Sequence, residues 1–226
     1  MSQGVAIVVG AGGELGRATA EKLAAAGFAV VGVDRSEEGL KELPEGIRRE
    51  AADPTDPAAA RSVVDRIAAE VGPPEVLVNT IGMYHLGDAL STTPEDFRLM
   101  MDVNVGSALW LTQAVAPFMR ERGSGAIVHV ASRQGLEPAA GMATYALSKA
   151  ALVQLIRVLD LELRPAGIRV NGVAPQLLNT AVTRSFLTPD LLPHAVAPEA
   201  VADAIVYLVS DAAAPVSGAV VPAYGA

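Results

Sequence analysis

Short apolar runs alternate along this chain with longer stretches of helical periodicity, and that alternation limits it to very few folds. Val5–Val9, Phe28–Val33, Val76–Asn79, Ala126–Ala131, Ile168–Ala174 and Ala219–Val221 read as strands, with Ile47–Ala52 a weaker one. They are rich in Val and Ile and lack polar alternation, as strands covered on both faces do. Between them, Leu15–Ala26, Pro57–Val71, Pro94–Arg122, Met142–Leu163 and Pro198–Ser210 read as helices. Asp56 with Pro57, and Thr93 with Pro94, are start signals; Gly27 stops the first helix, and Pro165 and Gly167 stop the fourth. The pattern predicts βαβ units, hence an α/β doubly wound parallel sheet of about seven strands with helices on both faces. At 226 residues and 51% hydrophobic content, residues 1–226 suit a single domain. Ligands of such sheets bind beyond the carboxyl ends of the strands, so chemistry is sought just after each strand.

Several function classes are excluded at this level. The chain has no Cys, and no His/Asp/Glu grouping has ligand spacing, so no metal is expected. A formal net charge of −8 without a basic run argues against nucleic acid. Mean hydropathy is high at +0.35, but it comes from dispersed Ala and Val, not from a membrane-length run. Met1-Ser2-Gln3-Gly4 leads straight into a strand without a leader pattern, so a cytoplasmic location and no membrane partner are expected.

Gly10-Ala11-Gly12-Gly13-Glu14-Leu15-Gly16 joins the first strand to the first helix. Glycines there let the backbone approach a pyrophosphate seated on the helix N-terminus, making Gly10, Gly13, Leu15 and Gly16 candidate cofactor residues in a Rossmann-like domain. Glu14 is awkward, because a carboxylate beside a pyrophosphate repels it unless it points to solvent. Asp34 ends the second strand, 18 residues after Gly16. It can accept from both adenosine ribose hydroxyls and would repel a 2′-phosphate, by about 4 kcal/mol for charges about 4 Å apart at a dielectric near 20. The expected cofactor is therefore NAD(H). Arg35, able to swing onto a 2′-phosphate, keeps NADP(H) as the alternative; Asp34 could instead cap a helix over Ser36–Leu43. Asp53 and Pro54 follow the third strand, where Asp53 could take the adenine amino group or simply stabilise a turn.

Tyr145 and Lys149 lie four apart in a helical pattern, on the face continued by Leu152, Ile156, Leu159 and Leu163. Hydride transfer to or from a carbinol carbon needs a proton group. Lowering a Tyr from its usual pKa of about 10 by 2–3 units takes about 3–4 kcal/mol, which one ammonium about 4 Å away supplies. Tyr145 is then the acid/base and Lys149 its activator and a holder of the nicotinamide ribose. Ser132, at the end of the fifth strand, can hold the substrate oxygen; taken alone it could equally cap a loop.

These residues resemble the short-chain dehydrogenases/reductases over essentially the whole chain. The Ser132 to Tyr145 gap of 13 matches that family. The resemblance implies Asn104 as a fourth catalytic residue holding a relay water. It also implies a cofactor track along Asn79, Ile81 and Gly82, and a carboxamide site at Pro175, Leu178 and Thr180. It implies an oxidoreductase acting on CH–OH groups of a small molecule, such as a 3-oxoacyl, steroid-like or sugar-like carbonyl. A non-catalytic nucleotide-binding regulator, or an epimerase or dehydratase, are the alternatives. A homo-oligomer, tetramer or dimer, would pack through Pro94–Arg122 and Met142–Leu163. The chain departs from the family pattern in having Glu14 at the middle glycine and Gln176 for the glycine after Pro175. Its substrate lid, about 181–197, is short. Gln134, Met142, Gln176 and Phe186 are candidate substrate-lining residues. Of the histidines, His85 follows the Asn79–Gly82 turn and could line the substrate pocket or lie in a surface loop, and His129 is expected to be packed in the core.

Overall fold

A computed structural model describes residues 4–185 and 194–225. Phe186 and part of the expected lid lie outside the described residues. Seven strands form one parallel sheet: β1 (Val5–Val9), β2 (Ala29–Asp34), β3 (Arg48–Ala51), β4 (Pro74–Asn79), β5 (Gly125–Val130), β6 (Ile168–Pro175) and β7 (Val220–Ala223). Their order is β3-β2-β1-β4-β5-β6-β7. The chain reverses its direction of travel across the sheet between β1 and β4, and loops part there to open a cleft.

Successive side chains on a strand enter opposite cores. Ile7, Leu77, Ile127 and Val170 meet α3 (Pro57–Glu70), α5 (Ser107–Arg122) and α6 (Ala143–Leu163) on one face. Val8, Val78, Val128 and Val173 meet α1 (Glu14–Ala25) and α8 (Pro198–Val209) on the other. Each fully buried Leu, Ile or Val contributes about 1.5–3 kcal/mol, which is why polar alternation is missing from the central strands. β3 is the exception and explains its faint signal. It is an edge strand whose buried Glu50 pairs with Arg48 and Arg66, each at 2.8 Å.

The expected caps are present. Asp56 Oδ1 accepts from the Ala58 N–H at 2.8 Å, and Thr93 and Asp96 form a reciprocal capping box on α4 (Pro94–Met101). The single long helix expected over Pro94–Arg122 is corrected: a π turn at Asp102–Gly106 separates α4 from α5. A single π turn shifts the register of the apolar stripe by one residue and carries no local marker such as Pro, so the sequence pattern does not reveal it. A one-turn helix α2 (Glu37–Leu40) follows β2, with Ser36, not Asp34, as its cap.

Gly16 decides how closely α1 approaches β1. A Cβ there would lie 2.1 Å from the Gly10 carbonyl oxygen, a backbone atom that cannot yield locally. Gly16→Ala is expected to cost more than about 2 kcal/mol, as overpacking of a rigid contact does. Urea denaturation of the two proteins measures it.

Candidate active site

The carboxyl ends of β1, β2 and β4 border a cleft of about 240 Å³. Gly10 and Gly13 line its floor, with Asp34, Arg35, Asp53 and Pro54 at one end and Ile81, Gly82 and Met83 at the other. Gly10 turns the chain with φ +83°. A side chain at Gly13 would meet only the Gly10 oxygen, at 3.4 Å, so nothing stands between the α1 N-terminus and the cleft there. Such a bare cradle at a helix start suits a diphosphate. Thr80, which the sequence reading passed over, also lines the cleft and ties the two turns together. Its hydroxyl donates to Val9 O at 2.9 Å and lies 3.3 Å from Gly10 O.

Both Asp34 oxygens accept backbone N–H groups, from Gly12 at 3.0 Å and Ser36 at 2.9 Å. The carboxylate is thereby fixed at the cleft end. Asp53 stabilises its turn, as the plainer reading had it: Oδ1 accepts from the Thr55 N–H and hydroxyl. Those bonds, with Arg35 nearby, hold its carboxyl below the usual range. Asn79 is buried and braces the turn from beneath, accepting from the Ile81 N–H at 3.0 Å. Leu15 and Gly16 are buried in the helix packing.

The inward face of α6 carries Lys149, with Leu152, Ile156, Leu159 and Leu163 buried below it as the stripe predicts. The Lys149 ammonium donates to Val130 O at 2.9 Å. It sits directly under the cleft wall, since a Cβ on Gly82 would approach Nζ to 3.1 Å. Burial lowers its pKa to about 8, so it remains charged at neutral pH.

Asn104 lies in the π turn and is 1% exposed. Its Oδ1 accepts from the Met83 N–H at 2.9 Å, and Nδ2 donates to Met83 O at 3.0 Å and Ser148 Oγ at 2.9 Å. Both amide hydrogens are thus committed to protein groups. The side chain clamps the Gly82–Met83 turn onto α6, so the relay-water role implied by resemblance does not fall to its NH₂.

Tyr145 is half-buried, and desolvation raises its pKa, opposed by the nearby Ser132 hydroxyl and reinforced by Tyr84. This corrects the expectation of a phenol lowered by Lys149, whose ammonium is drawn instead toward Val130 O. Ser132 donates to Gln134 Oε1 at 2.6 Å. Tyr84, also missed, packs edge-on against Tyr145 with ring centroids 5.0 Å apart. Its loop is held by pairing of Gly87 with Met142, the residue opening α6. Pro175 ends β6, Gln176 and Leu178 are half-buried, and Leu178 pairs with Val196. Thr180 caps α7 (Ala181–Arg184) by accepting from the Thr183 N–H at 3.2 Å.

His129 is buried in β5, as expected, with Nε2 3.1 Å from the Thr112 hydroxyl. Desolvation first, then the Lys149 charge, lowers its pKa to about 3.

Comparison with known proteins places this geometry among relatives. The short chain dehydrogenase family model matches residues 4–190. The 3-oxoacyl-[acyl-carrier-protein] reductase FabG of Escherichia coli K12 is 32% identical, covering 95% of this chain and 93% of that protein. Meso-2,3-butanediol dehydrogenase of Serratia marcescens is 30% identical, covering 98% of this chain and 93% of that one. The crystal structure of 3-ketoacyl-(acyl-carrier-protein) reductase from Brucella melitensis complexed with NADH superposes with TM-score 0.91 at 29% identity, covering 98% of this chain and 96% of that one.

The buried histidine generates a stability prediction. In the unfolded chain His129 binds a proton below about pH 6.5, while in the fold it stays neutral down to about 3. The unfolded state therefore gains protons first, and stability falls as pH drops below about 6.5. His129→Gln removes this component. Urea titrations from pH 7 to 5 are expected to show a shallower loss in the variant than in the wild type.

Proposed function

The chain belongs to the short-chain dehydrogenase family, and from that premise we propose that it transfers hydride between NAD(H) and a secondary alcohol or ketone, with Tyr145 as the proton group. The observation that carries this reading is the buried Lys149 ammonium beneath Gly82, at the wall of a cleft that Gly10, Gly13 and Asp34 also line, together with the Ser132 hydroxyl beside the Tyr145 phenol. The dinucleotide, when bound, gives or takes the hydride. Everything else falls to the chain's own residues.

Gly10 and Gly13 leave room for the diphosphate at the start of α1. Asp34 faces the adenosine ribose; its fixed negative charge disfavours a 2′-phosphate, and so favours NAD(H) over NADP(H) despite Arg35. Lys149, beneath Gly82, holds the nicotinamide ribose and keeps positive charge near the reacting oxygen. Ser132 turns its hydroxyl from Gln134 to the substrate oxygen. Tyr145, whose phenol burial holds above its ordinary pKa, is protonated at neutral pH and can donate to a carbonyl oxygen. In the opposite direction Tyr145 must first lose its proton, which burial opposes and the Ser132 hydroxyl eases. Tyr84, Gln134, Met142 and Gln176 border the place where the substrate would lie.

The reading includes a cytoplasmic enzyme that self-associates. Leu147 and Leu161 on α6 and Phe97 and Leu99 on α4 are apolar and 43–69% exposed, a pattern that favours packing against a second copy. Light scattering at micromolar concentration is expected to give a dimer or tetramer; a monomer contradicts this part.

Tyr145→Phe is expected to lower kcat for ketone reduction by at least about a hundredfold, the usual worth of a positioned acid. NADH affinity, measured by fluorescence, is expected to stay within about threefold, since the phenol proton is used in the chemical step and not to hold the cofactor. Full activity in the variant overturns the mechanism. A kcat/KM with NADPH above that with NADH overturns the assignment to Asp34.

A further inference from the structure

Glu14 occupies the middle of the glycine turn and opens α1. Its Oε1 accepts a hydrogen bond from the Ala181 N–H at 2.5 Å, across 167 residues of sequence. Ala181 is the first residue of α7, next to the capping Thr180. The same segment is anchored on its other side by pairing with Val196: the Asn179 N–H donates to Val196 O at 2.8 Å, and the Val196 N–H to Leu177 O at 2.7 Å. Glu14 therefore bridges the glycine turn and the β6–α7 segment.

The first α-helical bond of α1 runs from the Arg17 N–H to Gly13 O, so the first-turn amides of Glu14, Leu15 and Gly16 have no acceptor within the helix. A diphosphate seated there would lie close to the Glu14 carboxylate. Like charges repel, and in low salt they do so over about 10 Å or more. The carboxylate also holds down the Ala181 backbone above the glycine turn.

We propose that Glu14 is a strap across the cofactor cleft that competes with the dinucleotide diphosphate, so that this chain holds its cofactor weakly and exchanges it readily. The proposal rests on the reading of the cleft as a dinucleotide site. Binding draws the strap off Ala181, and release restores it, so the diphosphate end of the cleft is coupled to the β6–α7 segment.

The test compares the full-length wild type with Glu14→Gln and Glu14→Gly. The first keeps an acceptor and removes the charge; the second removes both. Dissociation constants for NADH, ADP-ribose and adenosine are measured by fluorescence and calorimetry at low and high salt. Both variants are expected to bind NADH and ADP-ribose about fivefold to tenfold more tightly at low salt, with the gain shrinking at high salt. Adenosine, which lacks the diphosphate, is expected to bind all three proteins alike. Wild-type binding of NADH with unchanged or weaker affinity in both variants overturns the strap and leaves the cleft reading intact. Failure of all three folded proteins to bind NADH or ADP-ribose overturns the cleft reading and the strap with it.

Discussion

The ammonium of Lys149 sits inside the protein, and the site is organised around the cost of keeping it there. An unpaired charge in a protein interior costs several kcal/mol. Val130 O accepts one of its hydrogens, and burial brings its pKa down to about 8. That leaves it charged at neutral pH but close to titration. The requirement extends outward. At Gly82 a Cβ would come within 3.1 Å of Nζ, so a side chain there would push the ammonium aside by a few tenths of an ångström. His129, in the neighbouring strand, must stay neutral, and burial together with the Lys149 charge keeps it so.

Asn104 is the second support. A regular helix from Pro94 to Arg122 would present this residue at a different angle and height. The π turn at Asp102–Gly106 is where the side chain reaches both backbone groups of Met83 and the Ser148 hydroxyl. Those bonds join the β4 turn, α6 and the helix between them. Thr80 performs the matching task at the other turn, connecting it to the end of β1. The cleft walls are thus fixed to one another by side chains that do no chemistry, with Ser132 buried and Tyr145 half-buried beside that frame.

Much of this was legible in the chain. Doubly apolar strands, cap residues and the Tyr145–Lys149 spacing each have a local physical signature, and the sheet, the caps and the buried stripe of α6 follow them. What was not legible depends on pairs far apart in sequence. Nothing near Glu14 tells of Ala181, nothing near Asn104 tells of Met83, and Tyr84 is one aromatic in a loop until Gly87 pairs with Met142. The π turn escaped because it shifts periodicity by a single residue. The phenol of Tyr145 was misjudged for a related reason. Spacing put an ammonium on its helix face, but only the fold reveals that burial dominates and that Val130 O draws the ammonium.

The central claim is that this cleft moves hydride to a carbonyl carbon with Tyr145 supplying the proton. Its most direct test is isotopic. NADH carrying deuterium at both C4 positions of the nicotinamide ring is incubated with the wild-type protein and a panel of linear and cyclic ketones, and the products are analysed by mass spectrometry and NMR. The account predicts a secondary alcohol from at least one ketone, with a single deuterium on the carbinol carbon and a solvent-derived proton on its oxygen. NADH that binds but delivers no deuterium to any ketone of the panel would contradict it.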